Sequence, residues 1–366
     1  MEKNRVVRNP WLIVLLIVAL CCFIAWGAAA ISKNLGEKDN LGDYRSVNIV
    51  NMQDIEATQN GFVYYDGNTV SAIASDGKVI WSYLVGPNAG VDVGKTGVAV
   101  WSGQTITLID IKDGSTMFNG TMAQKVISAH IGEKYTAAVI GEMSNSIIVI
   151  MENSGSQVNQ IPMEEVTVID YGFFTNGSLL WTMICDSNGT VPSCDILTYK
   201  PGKEIVGSIK DSEQLAYAVM FQASEICVAG DTYIKTYDYT GTEIKEKRKL
   251  VYGWYLQDAD ESNIDPLMAF VNDAQRKSDS GIQDVRLIRS NLDRVVHLPF
   301  GCRDVVAYGD TLYGFSADGH LVIMQQNAAT ARCFQLDIPV DDIYGITSDG
   351  VAVVSSMGSV CLVDLG

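Results

Sequence analysis

A short β-type unit recurs along most of this chain and limits the folds it can adopt. In residues 61–81, two alternating apolar runs meet at the turn Asp66-Gly67-Asn68, and the turn Asp76-Gly77 leads into a third run. The same order returns in residues 97–118. Turn dipeptides between alternating runs are typical of antiparallel hairpins. The unit is therefore predicted to be an antiparallel meander.

Weaker copies of the meander follow near Glu225, Asp304 and Gly350. Repeats of about 35–48 residues that each form a small sheet are typical of a β-propeller. Candidate inner strands lie near Ala57, Val91, Val126, Val168, Ala216, Tyr255, Val305 and Ile343. We predict an all-β fold, a β-propeller of about eight four-stranded blades, with seven blades as the alternative.

The two ends of the repeat array predict how the ring closes. The last copy stops at the C-terminus before its outermost strand, and residues 46–50 form an unassigned β-type run. We expect this run to complete the last blade, because pairing it there leaves no exposed sheet edge. Residues 258–284 are polar and charged, and they predict a long surface loop inside one blade.

Residues 69–81 and 105–118 resemble the repeat of PQQ-type propellers, the quinoprotein-dehydrogenase-like fold. In that repeat a strand of the form Leu-x-Ala-Leu-Asp precedes x-x-Gly-x-x-x-Trp. Val70-Ser71-Ala72-Ile73-Ala74, Gly77 and Trp81 match it, and the second copy has Phe118 in place of the tryptophan. The resemblance implies a propeller, in a superfamily that includes quinone-dependent dehydrogenases, outer-membrane assembly lipoproteins and anchored envelope proteins.

The chain departs from the dehydrogenases of this superfamily in two respects. Those enzymes have a ring of docking tryptophans, and several hold their quinone against a vicinal Cys-Cys disulfide. Here only Trp81 occupies the docking position, and the only adjacent cysteines, Cys21 and Cys22, lie in an apolar N-terminal run. The chain looks more like the uncharacterised single-pass, membrane-anchored propellers of Gram-positive bacteria. We therefore expect no cofactor.

Residues 11–31 form an uncharged apolar run that is long enough to cross the roughly 30 Å core of a bilayer as one helix. Lys3, Arg5 and Arg8 precede it, and the positive-inside bias keeps that end in the cytoplasm. We predict a cytoplasmic tail at 1–10, a transmembrane signal anchor at 11–31, a linker at 32–43 and an extracytoplasmic propeller at 44–366. The predicted localisation is the cell membrane.

Three other interpretations of residues 11–31 remain open. Ala28-Ala29-Ala30 offers a small-residue cleavage site, so the run could be a cleaved signal peptide, although its apolar part is long for one. A lipoprotein signal would place Cys21 at the modified position, but the bulky Leu20 precedes it. A buried globular helix would rarely be apolar all round at the N-terminus.

The charge balance excludes one class of partner. The chain has 26 basic and 43 acidic residues, for a formal net charge of −17. Such a surface repels nucleic acid and anionic lipid headgroups. We expect a basic or polar protein partner at the cell envelope and no nucleic acid.

Six cysteines lie outside the apolar run, too few for a disulfide scaffold in a domain of this size. Cys185 and Cys194 flank a turn-rich segment between two strand-like runs, so they form either a disulfide across that hairpin or two free thiols. His130, His297 and His320 are far apart in sequence, and no metal site is predicted from their spacing.

Candidate site residues follow from the predicted inner strands. Asp92, Asp170 and Asp304 lie near those strands and could line the central funnel, although satisfying backbone donors is the more ordinary role for such carboxylates. In the predicted surface loop, Asp258, Asp260 and Glu261 form the candidate partner loop. We predict no catalytic, cofactor or metal residue, because no nucleophile motif accompanies the scattered histidines.

The sequence therefore favours a membrane-anchored, extracytoplasmic propeller that works as a non-enzymatic interaction or assembly scaffold. The alternative is an enzyme with its site in the funnel, either a quinone-dependent dehydrogenase or an enzyme that acts on polysaccharides.

Overall fold

The computed structural model describes residues 41–49, 52–174, 177, 179–186, 193–203, 205–222, 225–260 and 263–366. These residues form eight separate antiparallel sheets of four strands each. Neighbouring inner strands contact one another around the axis, for example β2 (Asp54–Thr58) with β6 (Gly90–Val93) and with β30 (Asp342–Ile346). The predicted all-β propeller with eight four-stranded blades is confirmed, and the alternative of seven is wrong.

In chain order, the first half of the molecule contains the closing strand and blades 1 to 4. The closing strand is β1 (Tyr44–Val47), and blade 1 consists of β2 (Asp54–Thr58), β3 (Gly61–Tyr65), β4 (Thr69–Ala74) and β5 (Val79–Leu84). Blade 2 consists of β6 (Gly90–Val93), β7 (Gly97–Ser102), β8 (Thr105–Asp110) and β9 (Thr116–Thr121). Blade 3 consists of β10 (Val126–Ile131), β11 (Tyr135–Glu142), β12 (Asn145–Glu152) and β13 (Gln157–Glu164). Blade 4 consists of β14 (Thr167–Phe173), β15 (Leu180–Asp186), β16 (Ser193–Tyr199) and β17 (Ile205–Asp211).

The second half contains blades 5 to 8 and one 3-10 turn at Lys245–Lys247. Blade 5 consists of β18 (Ala216–Gln222), β19 (Glu225–Gly230), β20 (Tyr233–Tyr237) and β21 (Lys249–Leu250). Blade 6 consists of β22 (Trp254–Ala259), β23 (Met268–Asn272), β24 (Ile282–Arg289) and β25 (Leu292–Cys302). Blade 7 consists of β26 (Asp304–Tyr308), β27 (Thr311–Phe315), β28 (His320–Gln325) and β29 (Arg332–Gln335). Blade 8 consists of β30 (Asp342–Ile346), β31 (Val351–Ser356), β32 (Ser359–Asp364) and β1.

The inner strands lie where the repeat pattern places them. The eight first strands of the blades, from β2 to β30, each contain the residue that the sequence marks as an inner-strand position. The reason is local, because each strand follows a turn and is followed by a hairpin within the same repeat. Blades 1 to 7 are therefore each specified by residues that are close together in the sequence, whereas blade 8 takes its outer strand from the N-terminal part of the chain.

The ring closes through the N-terminal strand. β1 pairs antiparallel with β32, from Tyr44 opposite Val363 to Val47 opposite Val360. The predicted closure is thus confirmed, with β1 two to three residues earlier than the run that we expected. Phe62 of blade 1 is fully buried against Val353 and Leu362 of blade 8, so side-chain packing seals the same joint.

The expected long surface loop at residues 258–284 is wrong. Asp258 belongs to the inner strand β22, opposite Ala269 of β23. Residues 282–284 already belong to β24. The acidic side chains misled the sequence interpretation, because a polar residue on an inner strand can face the axis of a propeller and still occupy a regular strand.

The hydrophobic core lies between neighbouring blades. One group of buried side chains joins blade 2 to blade 3 and includes Leu108, Ile131 and Ile140. Another joins blade 6 to blade 7 and includes Val285 and Leu312. Each sheet therefore buries both of its faces against its neighbours, which explains why the middle strands are continuously apolar.

The joint from blade 1 to blade 2 has the docked tryptophan that the sequence predicts. Trp81 is 7% exposed, and its indole N–H donates a hydrogen bond of 2.8 Å to the carbonyl of Ile111. Its ring lies over Gly114, where an added Cβ would come within 2.7 Å of it. At the next joint Phe118 lies over Gly155 in the same way but has no N–H to donate.

Among the described residues, no helix combines the length and apolar character needed to cross a bilayer. The predicted anchor at 11–31 lies outside the described residues, as does most of the predicted linker at 32–43.

Candidate axial binding site

The inner strands give the axial channel a strong excess of acidic side chains. Every inner strand carries Asp or Glu except those of blades 3 and 5, and none of the eight contains Lys or Arg. The carboxylates are Asp54, Glu56, Asp92, Asp170, Asp258, Asp304 and Asp342. Their common placement is a property of the fold, because inner strands from distant parts of the chain meet around one axis.

Four of the titratable side chains form a group that we call the Asp92 cluster: Glu56, Asp92, His130 and Asp170. Asp92 of blade 2 lies 3.1 Å from Nδ1 of His130 in blade 3 through its Oδ1 atom. Its Oδ2 atom accepts a 2.7 Å hydrogen bond from the backbone N–H of Ile131. Asp92 therefore joins two neighbouring inner strands and orients the imidazole.

Aromatic rings support His130 from the side of blade 4. The imidazole is stacked on Phe173 at 6.2 Å between ring centroids and meets the edge of Tyr171 at 6.5 Å. The hydroxyl group of Tyr171 is hydrogen-bonded to that of Ser128 at 2.8 Å. The His130 imidazole is thus contacted from blades 2 and 4 as well as belonging to blade 3.

The pKa values of Glu56, His130 and Asp170 in the Asp92 cluster are raised. The surrounding strands desolvate Glu56 and raise its pKa to about 7, and the negative charges of Asp92 and Asp54 add to this effect. Desolvation is also the main cause of the raised pKa of Asp170. For His130, desolvation lowers the pKa, but the hydrogen bond and charge of Asp92 outweigh it, so the net shift is upward. The cluster can therefore exchange protons near neutral pH.

A second group, the Asp304 cluster, lies on blades 6 to 8 and consists of Gln257, Asp258, Asp304 and Asp342. Asp304 accepts hydrogen bonds of 2.8 Å from the Gln257 amide and 2.7 Å from the N–H of Val305. Desolvation raises the pKa of Asp258 to about 6. Desolvation also raises the pKa of Asp304, and the charge of Asp342 adds to that shift.

Several of these carboxylates also hold neighbouring blades together. Asp258 accepts a 2.7 Å hydrogen bond from the N–H of Ala307, and Asp260 accepts one of 2.9 Å from Gly309. Asp92 bonds to Ile131 in the same manner. Each carboxylate satisfies a backbone donor of the next blade, which is the ordinary structural role that the sequence suggested for the inner-strand aspartates.

The candidate residues from the sequence divide between the two clusters. Asp92 and Asp170 fall in the Asp92 cluster, and Asp304 falls in the other. Their role in binding stays a prediction. The sequence analysis missed Glu56 and His130. Glu56 lies opposite Val63 in blade 1 as Asp92 lies opposite Ala99 in blade 2, so an alignment of the repeats would have identified Glu56.

The candidate partner loop differs in position from the prediction. Asp258 is on an inner strand and Asp260 is buried at its end, where both bond to blade 7. Glu261 lies outside the described residues. A partner-binding role for these acids remains a prediction, but Asp258 and Asp260 are not parts of an exposed loop.

Cys185 and Cys194 lie directly opposite each other in the ladder between β15 and β16. Both are half-buried free thiols here. Desolvation, together with the proximity of Cys185, raises the pKa of Cys194. The register places the two thiols as the predicted disulfide requires, and the disulfide itself stays a prediction.

The histidines offer little support for metal chemistry. Over the described residues, no group of three or more His, Cys, Asp or Glu side chains is arranged to hold a metal ion. Each histidine instead has a carboxylate neighbour: His130 has Asp92, His297 has Asp284 at 2.8 Å and His320 has Asp318 at 3.0 Å. The three pairs lie in blades 2–3, 6 and 7 and do not meet.

Comparisons with known proteins identify the fold and no family. No family model matches the chain, and no curated protein matches its sequence. Among solved structures, BamB from Moraxella catarrhalis is 14% identical with a TM-score of 0.51, and the match covers 88% of this chain and 97% of that chain. The WD40 domain of SCAP from fission yeast is 9% identical with a TM-score of 0.59, covering 90% and 99%. The C-terminal WD40 domain of Sif2 is 10% identical with a TM-score of 0.60, covering 89% and 99%. At these identities the similarity shows a β-propeller fold and nothing finer.

Proposed function

We propose that this chain is a membrane-anchored, extracytoplasmic propeller that works as a non-enzymatic scaffold and binds a basic protein segment at its axial channel. One observation carries the proposal: the inner strands bring acidic side chains from six blades to one axis with no Lys or Arg among them. Such a concentration of one sign of charge attracts a partner of the opposite sign. The anchor and the cell-envelope location rest on the sequence of residues 11–31.

The geometry of the carboxylates fits binding better than catalysis. Asp92 and Asp258 are committed to backbone donors of the neighbouring blade, which fixes them as structural charges. Glu56, Asp170 and Asp342 keep exposed surface and are available to a ligand, although the surrounding strands desolvate Glu56 and Asp170 in part. Propellers also present rigid loops around one axis, an arrangement that suits recognition of other proteins.

The test compares capture of partners from native membranes. The full-length protein would be crosslinked beside a channel variant with Glu56→Gln, Asp170→Asn and Asp342→Asn. The matched control, Glu133→Gln, Glu152→Gln and Glu246→Gln, removes the same number of carboxylates from exposed positions away from the inner strands. We expect a basic protein to be captured by the wild type and the control, to be lost with the channel variant, and to dissociate as salt is raised.

Equal capture by the channel variant and the wild type would refute the proposal. A rise in melting temperature with pyrroloquinoline quinone and calcium would instead favour the quinone-dependent dehydrogenase alternative, because a ligand that binds the native state stabilises it.

A further inference from the structure

We propose that a pocket between blades 3 and 4 takes one aliphatic side chain of a peptide whose flanking residues are Lys or Arg. This inference rests on the proposed function and names the chemistry of the partner segment. The pocket is a shallow concavity of about 330 Å³, a volume that includes the open solvent at its mouth. Its lining includes Ile127, Ser128, Met143, Val168, Ile169 and Tyr171.

Two β-bulges form the apolar walls of this pocket. In β10 the pairing with β11 passes from Val126 to Ser128, so Ile127 is the extra residue. In β14 it passes from Val168 to Asp170, so Ile169 is the extra residue. A bulge takes a side chain out of the regular alternation and redirects it. The two bulges lie on neighbouring inner strands.

Two large apolar side chains at the rim of the pocket are exposed to solvent. Ile169 is 54% exposed and Met143, in the turn between β11 and β12, is 67% exposed. Both border the same concave surface. An aliphatic side chain placed between them would be removed from water on both sides, which is the main source of affinity for an apolar anchor.

The negative charges near the pocket favour Lys or Arg at the peptide positions that flank the aliphatic anchor. Glu142 precedes Met143 and Asp170 follows Ile169, and both carboxylates are exposed. Lys125 also lies at this turn, where its carbonyl accepts the N–H of Gly141. Each of the two carboxylates is the sequence neighbour of an apolar rim residue, so positive residues next to the anchor are favoured.

The pocket also adjoins the Asp92 cluster. Tyr171 is part of its lining, and the same ring meets the edge of His130 at 6.5 Å. A peptide anchored in the pocket therefore has neighbouring residues within the field of Asp92, Asp170 and Glu56. This proximity makes a basic peptide the expected occupant and disfavours an acidic one.

The experiment is a fluorescence-anisotropy titration of the purified full-length protein with the labelled peptide Gly-Lys-Lys-Leu-Gly-Lys-Lys-Gly. A companion peptide has Ser in place of Leu. The variants are Ile169→Asn and, on a separate element, Met143→Asn. The matched control is Ile205→Asn, on the outer strand of the same blade, where the isoleucine is 56% exposed. Both isoleucines are solvent-exposed, so folding should be unaffected.

We expect Ile169→Asn and Met143→Asn each to weaken binding of the leucine peptide by about tenfold, and Ile205→Asn to leave it unchanged. The serine peptide should bind all four proteins with the same weak affinity. Equal binding of both peptides by the wild type, or unchanged binding by Ile169→Asn and Met143→Asn, would overturn the inference. Either result would leave membrane capture by the acidic channel intact, so this failure is distinguishable from failure of the proposed function.

Discussion

Replacing Lys235 by Met should destabilise the joint between blades 4 and 5 by stranding a buried carboxylate. The ammonium group of Lys235 lies 2.8 Å from Asp211 and 2.8 Å from Glu213. The side chains of Lys235 and Asp211 are 3% and 1% exposed, whereas that of Glu213 is 55% exposed. Removal of the lysine therefore affects Asp211 most, because Glu213 can be solvated by water.

The size of the loss in unfolding free energy depends on the hydrogen bonds that Asp211 retains in the variant. Removing one partner of a buried ion pair costs about 3–5 kcal/mol, because the remaining charge is uncompensated. Asp211 keeps hydrogen bonds of 2.9 Å from Gln214 and 3.0 Å from the N–H of Glu213, so we expect the lower end, about 3 kcal/mol. The stranded carboxyl group should also have a raised pKa, so the penalty should shrink as the pH falls and Asp211 is protonated.

The measurement is urea unfolding of the full chain at neutral pH and at about pH 5. The matched control is Lys247→Met, since Lys247 lies 2.7 Å from Glu225 but is 47% exposed, and exposed pairs contribute about 1 kcal/mol or less. Adding Asp211→Asn to Lys235→Met should recover part of the loss. A free-energy change for Lys235→Met no larger than that of the control, or one independent of pH, would refute the reasoning.

Three further predictions concern the blade joint, the channel and the cysteines. Gly114→Ala should lower the free energy of unfolding in urea by about 2–3 kcal/mol, because residue 114 has a φ of +73° and an added Cβ would lie 2.7 Å from the docked indole. The control, Gly103→Ala, should lower it by about 1 kcal/mol, because residue 103 has a φ of +61° but open space around it. Equal losses for the two variants would contradict the docking argument. The melting temperature should fall as pH rises from about 5 to 8, because Glu56 with its raised pKa is neutral at the lower pH and charged at the higher one. Glu56→Gln should reduce this dependence of the melting temperature on pH. An unchanged dependence would count against the raised pKa. Cys185 and Cys194 should form a cross-strand disulfide in protein isolated from an oxidising compartment, which mass spectrometry after alkylation without reductant detects as a linked peptide pair; two alkylated thiols would exclude it.

The sign of the pH effect is the same for the other shifted channel groups. The raised pKa of Asp258, about 6, and that of His130 both mean that the folded state holds its protons more tightly than the unfolded chain. Such groups favour folding at low pH and lose that contribution as pH rises through their folded-state pKa. Carboxylates with lowered pKa values, such as Asp293 beside Arg286, change only below about pH 4 and do not oppose the trend.

The repeat pattern predicts the blades well because each blade is a local object. A strand, its hairpin turn and the next strand lie within one repeat, so residues such as Asp76 and Gly77 are enough to locate them. Closure was also predictable, since the last repeat ends one strand early and β1 is available to pair with it. The docked Trp81 followed from its place in the repeat.

The binding site was less accessible from sequence because it is assembled across blades. Asp258 looked like part of a polar loop, and only its pairing opposite Ala269 shows that it belongs to an inner strand. His130 has no sequence neighbour that marks it as special, and Asp92 reaches it only because blades 2 and 3 are adjacent. The bulge at Ile169 depends on the register with β15.

The sequence by itself determined the repeat, the order of the blades and the acidic balance of the chain, and it limited the number of blades to eight or seven. These properties depend on periodicity, turn chemistry and composition, which act over short distances along the chain. Only the tertiary structure decided which carboxylates meet at the axis, which of them bond to the next blade and which have raised pKa values. Those outcomes depend on desolvation and charge–charge distances between residues far apart in sequence, and closing the ring sets both.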